Sequence, residues 1–196
     1  MPKAVPRRVV VDTCLKAISV AEERYSHWSN GVTMRAAPES LVQTILAELL
    51  AEIGVKLLLE VSLTDLRLLM KGQELAEGDA SKRTGRVDLV VYYKSTAPRF
   101  IIEIKKLHGK GQSLLADCRR LHDLLAICPT VQNGLMLGYT VAVKPETIKN
   151  RIAMVADVTG SRIVRKLPPL TVTSKRGASR LLGAAVYRVE REQVRP

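Results

Sequence analysis

Two acidic residues and a lysine interrupt two apolar stretches that lie close together in the sequence. Asp88 stands within 87–93, and Glu103 and Lys105 stand within 100–105. Both stretches are rich in β-branched and aromatic residues, which favours strands, and their apolar residues fall on both faces, which favours burial in a sheet. A carboxylate in a buried strand is costly unless it is paired or binds a metal. These three residues are therefore candidates for chemistry.

Alternation along the strands decides whether the three side chains can meet. Successive side chains point to opposite faces of a strand, so Glu103 and Lys105 share one face. An antiparallel pairing centred on Thr96 brings Asp88 level with Glu103 or Ile104. Directly opposed side chains lie roughly 5 Å apart at Cβ. The sequence therefore predicts that two acids and an amine converge on one point.

Two carboxylates at that separation supply the hard oxygen ligands that Mg²⁺ and Mn²⁺ prefer. A metal held there could polarise a phosphodiester oxygen and lower the pKa of a bound water. Lys105 could position that water, help to deprotonate it, or neutralise charge that develops on the phosphate. The alternative is a buried ion-pair cluster with a structural role alone.

The elements that must position these residues are predicted from periodicity and from helix-end signals. Helices are predicted over 9–25, 38–54, 113–129 and 145–158. Strands are predicted over 55–63, 87–93, 100–105, 134–143 and 184–189, with 64–84 ambiguous and the chain between the last helix and the last strand irregular. We expect one α/β domain over residues 1–196, built as a mixed β-sheet flanked by helices on both sides.

Composition bounds the class of protein. Hydrophobic residues make up 46% of the 196 residues, which is ordinary for a globular domain, and aromatic residues only 4%. So few rings argue against a protein that binds single strands mainly by stacking bases. Trp28, the only tryptophan, either packs on the core or stacks on a base, and the core is the default. Cys14, Cys118 and Cys128 show no metal-binding spacing and are expected to be reduced core residues.

The charge favours a polyanionic partner. The formal net charge is +12, and nine Lys and Arg face only two Glu between residue 162 and the end of the chain. Such a surplus in a small domain favours DNA or RNA as the partner, with the basic C-terminal region, about 160–196, gripping phosphates. The sequence shows no signal peptide and no apolar run of membrane-spanning length, so we expect a cytoplasmic protein without membrane contact.

Gly85-Arg86-Val87-Asp88 followed by Phe100-Ile101-Ile102-Glu103-Ile104-Lys105 resembles the PD-(D/E)XK motif of restriction-endonuclease-like nucleases. In that family an Asp opens one strand and an apolar run leads into Glu-x-Lys on the next. The separation of 15 residues between the two acids lies within the family's usual spread. Val87 stands where the family name has Pro. The resemblance covers roughly residues 38 to 128.

The resemblance implies a restriction-endonuclease-like fold and Mg²⁺-dependent hydrolysis of phosphodiester bonds in DNA. Lys105 would serve the attacking water. Many members also carry a metal-binding Glu in the first core helix, for which Glu39 is the best match and Glu48 and Glu60 are rivals. The implied metal ligands, for Mg²⁺ or Mn²⁺, are Glu39, Asp88, Glu103 and the carbonyl of Ile104.

Other residues near the motif are candidates for contact with nucleic acid. They are Arg86, Lys106, Lys110, Gln112 and Arg120. The resemblance also implies a homodimer, because two sites are needed to cut two strands. Two alternatives remain open: a catalytically silent module of the same fold that binds DNA or RNA within a larger complex, and a regulatory protein that pairs with an acidic partner.

Overall fold

A six-stranded mixed sheet forms the centre of the part of the chain that the structure describes. The computed structural model describes residues 5–62, 64–66, 85–92, 97–108, 112–175 and 177–191. The helices are α1 (Arg7–Trp28), α2 (Glu39–Glu52), α3 (Gln112–Ile127) and α4 (Pro145–Thr159). The strands are β1 (Lys56–Ser62), β2 (Arg86–Tyr92), β3 (Pro98–Lys106), β4 (Asn133–Ala142), β5 (Arg162–Thr173) and β6 (Ser179–Val189).

The order of the strands explains why the central ones are buried. The order is β1-β2-β3-β4-β6-β5, in which β3 and β4 are parallel and the other neighbours antiparallel. The helix α3 connects the parallel pair, as a parallel connection requires. The sheet is covered by α1 and α2 on one face and by α3 and α4 on the other, with a hydrophobic core on each side. The predicted mixed sheet with helices on both faces is therefore confirmed.

Side chains of β3 alternate between the two cores. Phe100, Ile102 and Ile104 belong to the core beneath α1 and α2, whereas Ile101 packs on the α3 side. Burying one such side chain stabilises the fold by about 1.5–3 kcal/mol. Because apolar residues occupy both faces, a charged residue such as Glu103 interrupts an otherwise dry layer.

No helix among the described residues is long and apolar enough to span a membrane.

Local signals in the sequence locate the ends of α2 and α4. Pro38 caps α2 in an extended conformation, with ψ 152°, and Gly54 follows the helix with φ +79°. Pro145 begins α4 and Gly160 ends it in the left-handed region, at φ +65°. Proline suits the first helical turn and glycine the left-handed residue after the last, which explains why these predicted boundaries agree with the structure.

The hairpin of β2 and β3 has the predicted register. Leu89 pairs with Ile102 and Val90 with Ile101, in antiparallel orientation. The paired residues end at Leu89 and Ile102, and Asp88 and Glu103 are the residues that adjoin this last pair on the two strands. The predicted hairpin connection lies partly outside the described residues, as does most of the ambiguous 64–84 segment, of which 64–66 form a helical turn.

The chain after α4 departs from the prediction. The sequence indicates irregular structure there, but β5 is a 12-residue strand that pairs with β6, and β6 begins at Ser179 rather than near 184. The strand β5 lies at the edge of the sheet and most of its side chains are exposed, so it carries no apolar alternation. Pro168 and Pro169 fall where the register shifts, and an edge strand tolerates such residues. The irregular assignment was therefore wrong.

Two expectations about single residue types have opposite outcomes. All three cysteines are buried, as expected of core residues. Trp28, in contrast, is 63% exposed at the end of α1. Its default assignment to the core is wrong, because α1 extends past the predicted end at residue 25 and ends at Trp28, whose side chain faces solvent.

Candidate metal and nucleic-acid site

The two acids predicted to face each other lie where β2 begins and β3 ends. Asp88 Oδ2 accepts a hydrogen bond of 2.6 Å from the backbone N–H of Ile104. Glu103 is only 4% exposed and points toward α3. The register of the hairpin and the hydrogen bond from Ile104 together keep the Asp88 carboxylate beside β3. The structure therefore brings these two acids together.

Residues of α2 and β1 flank Asp88 on one side. The Nε2 amide of Gln43 donates to the backbone O of Asp88 at 2.9 Å and to Glu60 Oε1 at 2.7 Å. Glu60 has φ +52° and lies at a break in the β1–β2 ladder, a conformation that costs roughly 1–3 kcal/mol in a non-glycine residue. Gln43 therefore connects this strained residue to the strand that carries Asp88.

Glu39 lies at the first turn of α2 and contacts the end of β3. Its Oε1 accepts a 2.6 Å hydrogen bond from the backbone N–H of Lys106. The contact joins the beginning of α2 to the strand that carries Glu103. The rival Glu48, on the same helix, instead makes a 2.5 Å ion pair with Arg24 at the surface. Of the three candidate glutamates, Glu39 and Glu60 thus lie near Asp88 and Glu48 does not.

An ion-pair network from α3 covers the other side of the site. Lys105 Nζ lies 3.0 Å from Asp117 Oδ2, and Arg120 Nη1 lies 3.0 Å from Glu103 Oε1. Arg120 also contacts Asp117 at 3.2 Å and donates to the backbone O of Arg86 at 2.9 Å. The four charged side chains of this network are Glu103, Lys105, Asp117 and Arg120.

Asp117 was not among the predicted site residues, although the sequence carries a signal for it. Asp117 is buried on α3 between Leu114 and Leu121, three and four residues away, both of which belong to the core. Residues at these spacings share a helix face, so an acid stands in the apolar stripe. A carboxylate in that position requires a cationic partner, and here it has two.

Burial and like charge raise the pKa of both central acids. Burial raises the pKa of Glu103 to about 8, with further contributions from the charges of Asp88 and Asp117 and against the charge and hydrogen bond of Arg120. Burial also raises the pKa of Asp88, against the hydrogen bond from Ile104 and with added repulsion from Glu60 and Glu39. A cation bound between the two carboxyl groups would lower both pKa values and let both groups ionise.

Lys105 has the opposite environment. Burial by itself lowers its pKa, but the hydrogen bond and charge of Asp117, with Glu39 and Glu103, more than offset this effect and raise the pKa above its ordinary value. Lys105 is therefore protonated at neutral pH. Among the roles open to it, that of a fixed positive charge fits this state better than that of a base.

The donor set fits a hard divalent cation in part. Asp88 and Glu103 face each other and present carboxylate oxygens, which Mg²⁺ and Mn²⁺ prefer. Each accepts a hydrogen bond on one oxygen, from Ile104 and Arg120. Within the described residues, however, no three His, Cys, Asp or Glu side chains form a metal-binding group. Glu39 is not gathered with the other two into such a group.

The residues proposed to contact nucleic acid occupy different environments. Arg86 is exposed, whereas the Arg120 guanidinium is bound within the ion-pair network rather than solvated on its helix. Lys106 Nζ donates to the backbone O of Arg35 and of Ala37. Lys110 lies outside the described residues, and Gln112 begins α3 but its side chain is not described.

Comparisons of this chain with protein-family models, with curated proteins and with solved structures found no match.

Proposed function

We propose that this protein is a Mg²⁺-dependent nuclease, of the restriction-endonuclease-like type, that hydrolyses phosphodiester bonds in DNA. The observation that carries the proposal is that Asp88 and Glu103 adjoin across the β2–β3 hairpin, close enough for their charges to interact, with Lys105 two residues beyond Glu103 on the same face of β3. The buried Glu103 and the half-buried Asp88, both of raised pKa, form beside a protonated lysine an arrangement suited to a divalent cation and a phosphate.

In this proposal Asp88 and Glu103 hold the cation, with the carbonyl of Ile104 as a further ligand. Mn²⁺ is an alternative to Mg²⁺ at such oxygen ligands. Glu39 and Glu60 lie near Asp88 and would reach the cation through water. When bound, the cation would polarise the phosphate and lower the pKa of a coordinated water.

The roles of the chain's own groups follow from their contacts. Lys105, held protonated by Asp117, stabilises negative charge that develops on the phosphate. Arg120 donates a hydrogen bond to Glu103 when no cation is bound and fixes the orientation of Asp117. Gln43 is a positioning residue, because it acts through the backbone of Asp88.

A nicking assay on supercoiled plasmid tests the proposal. Wild-type protein should nick DNA with Mg²⁺ or Mn²⁺ and not with EDTA. Asp88→Asn should reduce the rate at least roughly 100-fold, as removal of one key polar group often does. Asp157→Asn, at an exposed position on α4, is the matched control and should keep wild-type activity. Equal nicking by Asp88→Asn and wild type would overturn the proposal.

A second candidate is a catalytically silent module that binds DNA or RNA within a larger complex. The ion pair of Arg120 with Glu103, and the lack of a three-residue metal group among the described residues, favour it. Binding of DNA that persists in EDTA, without cleavage in Mg²⁺ or Mn²⁺, would support this candidate over the nuclease.

The proposal carries two further expectations. Cleavage of both strands of a duplex requires two sites, so we propose a homodimer, which sedimentation of the purified protein would test. The reduced, buried cysteines suit a cytoplasmic protein, and we propose that location.

A further inference from the structure

Two cavities rich in basic residues lie beside the proposed site. One, of about 350 Å³, is lined by Lys106, His108, Lys144 and Arg151 together with Arg35 and Arg180. The other, of about 810 Å³, lies between 29–36 and the turn that joins β5 to β6. No acidic residue is among the described residues that line either cavity.

Arg35 and Arg180 line both cavities, so the two cavities adjoin at these arginines. The two segments that line the larger cavity, 29–36 and the β5–β6 turn, are joined by a hydrogen bond of 3.3 Å from the backbone N–H of Lys175 to Gly31 O. We call this feature the basic groove. Burial lowers the pKa of His108 in this groove, and the positive charges of Lys106, Arg151 and Arg35 lower it further.

Lys106 connects the basic groove to the proposed site. Its backbone N–H binds Glu39, while its ammonium group contacts the backbone O of Arg35 and lines the smaller cavity. The preceding residue is Lys105, whose amine lies in the ion-pair network. The basic groove therefore ends beside Glu39, the proposed ligand at the first turn of α2.

The far end of the basic groove offers an aromatic surface. Trp28 is 63% exposed and immediately precedes Ser29, which lines the larger cavity. Val32, which also lines that cavity, is 46% exposed. An exposed ring next to basic residues is typical of proteins that stack an unpaired base while cations follow the backbone. The bases of a duplex are already stacked and are unavailable to such a ring, except at an end.

We infer that the basic groove binds the backbone of a single-stranded nucleic-acid segment, with Trp28 stacked on one of its bases. The inference deepens the proposed function, on which it rests for the nature of the ligand: the substrate carries a single-stranded segment that leads into the site. The scarcity of rings in the chain is consistent with one stacking contact, because the cations supply most of the affinity.

Binding in EDTA tests the groove without cleavage. The probe is a fluorescein-labelled 20-nucleotide single strand, titrated at several salt concentrations. Arg35→Gln and Arg180→Gln should each weaken binding roughly five-fold at 0.1 M salt and reduce the salt slope by about 0.7, the value for one phosphate contact on a single strand. Variants that bind with wild-type affinity and slope would overturn the groove.

Arg162→Gln is the matched control, because this residue lies on the same hairpin as Arg180. Arg162 pairs with Arg188, eight residues along β6 from Arg180, which places the two arginines roughly 27 Å apart at 3.3 Å per residue. Arg162→Gln should leave the affinity within roughly two-fold of wild type and the salt slope unchanged. An equal loss in all three variants would indicate attraction by net charge alone and overturn the groove.

The single tryptophan reports on stacking directly. Its fluorescence should be quenched by the unlabelled single strand and much less by a blunt duplex of equal length. Trp28→Ala should weaken single-strand binding more than duplex binding. Equal quenching by both, or none by the single strand, would overturn the single-strand assignment. If polyglutamate of equal charge displaces the labelled strand as effectively as the unlabelled single strand does, the partner is instead an acidic protein. That result would overturn the single-strand assignment.

The inference and the proposed function can fail separately. A protein that binds single strands through Arg35 and Arg180 in EDTA, but never cleaves in Mg²⁺, would refute the nuclease and retain the groove. If nicking depends on Asp88, but neither Arg35→Gln nor Arg180→Gln changes the affinity for the single strand, the groove alone is refuted.

Discussion

Arg120 Nη1 donates a hydrogen bond of 3.0 Å to Glu103 Oε1, deep between α3 and β3. The Glu103 side chain is about 5% exposed and the Arg120 side chain 26%, so little water competes for this contact. Even so, burial and the charge of Asp88 keep the pKa of Glu103 near 8. A cation that binds here must therefore compete with a proton as well as with a guanidinium group.

The first prediction concerns stability against pH without metal. The pKa of Glu103 is about 8 in the folded protein and near 4.5 when unperturbed. Between these values the folded chain keeps a proton that the unfolded chain has lost. The contribution of Glu103 to the free energy of unfolding is therefore complete below about pH 4.5 and falls as pH rises to 8, by at most about 1.4 kcal/mol per unit.

Urea unfolding in EDTA between pH 5 and 9 measures this effect. The stability of wild type relative to Glu103→Gln should decrease with rising pH and become constant above about pH 8, because other titrating groups cancel in the difference. Glu48→Gln, which removes an exposed carboxylate, should keep the wild-type slope. A pH-independent difference between wild type and Glu103→Gln would contradict the raised pKa.

The second prediction concerns the effect of the cation on stability. Carboxylate ligands must lose their protons to bind a metal, so binding is weaker where Glu103 is protonated. Mg²⁺ should raise the Tm more at pH 8 than at pH 6, at equal concentration. Asp88→Asn should abolish the increase at both pH values, and Asp157→Asn should preserve it. An increase of the same size in Asp88→Asn would place the cation elsewhere.

The third prediction separates a metal ligand from a structural contact at Glu39. Glu39→Gln retains an oxygen that can accept the hydrogen bond from Lys106 but removes the negative charge. If Glu39 completes the cation site, the rate of nicking should fall roughly 10- to 100-fold with stability nearly unchanged. Glu48→Gln on the same helix should have no effect on the rate. Full activity of Glu39→Gln would limit Glu39 to joining α2 with β3.

The central part of the molecule could be predicted from the sequence because its signals are local. The two apolar strands, their alternation and the short hairpin determine the register that opposes Asp88 and Glu103. Proline and glycine at the ends of α2 and α4 determine the helix boundaries. These features depend on neighbours within about 20 residues in the sequence.

The features that escaped prediction depend on position in the finished fold. The strand β5 is held by pairing with β6 at an edge, so its own side chains carry little pattern. Asp117 reaches Lys105 and Arg120 because α3 packs over β3, and only its place in an apolar stripe could have indicated this. The basic groove joins 29–36 to the β5–β6 turn, segments far apart in the chain.

The fourth prediction concerns the pH dependence of catalysis. The hydrogen bond and charge of Asp117 hold the pKa of Lys105 above its ordinary value, against the effect of burial. Asp117→Asn removes that support, so Lys105 should lose its proton at lower pH. If the lysine acts as a cation, the alkaline limb of the kcat profile should move to lower pH. Asp157→Asn should leave the alkaline limb where it is in the wild type. If Asp117→Asn also leaves it there, the alkaline limb belongs to a group other than Lys105.

The last prediction tests the packing of β6 against α4, in the part of the strand that the sequence did not predict. A Cβ added at Gly183 would lie 2.2 Å from Ile148 Cγ2, so Gly183→Ala should lower the free energy of unfolding by about 1–3 kcal/mol. Ile148→Ala removes the clashing atom and leaves a cavity that the new methyl group partly fills. The double variant should therefore be more stable than the sum of the single effects in a urea-unfolding cycle. Simple additivity would show that this strand does not lie against α4 at Ile148, since residues in contact couple and distant ones do not.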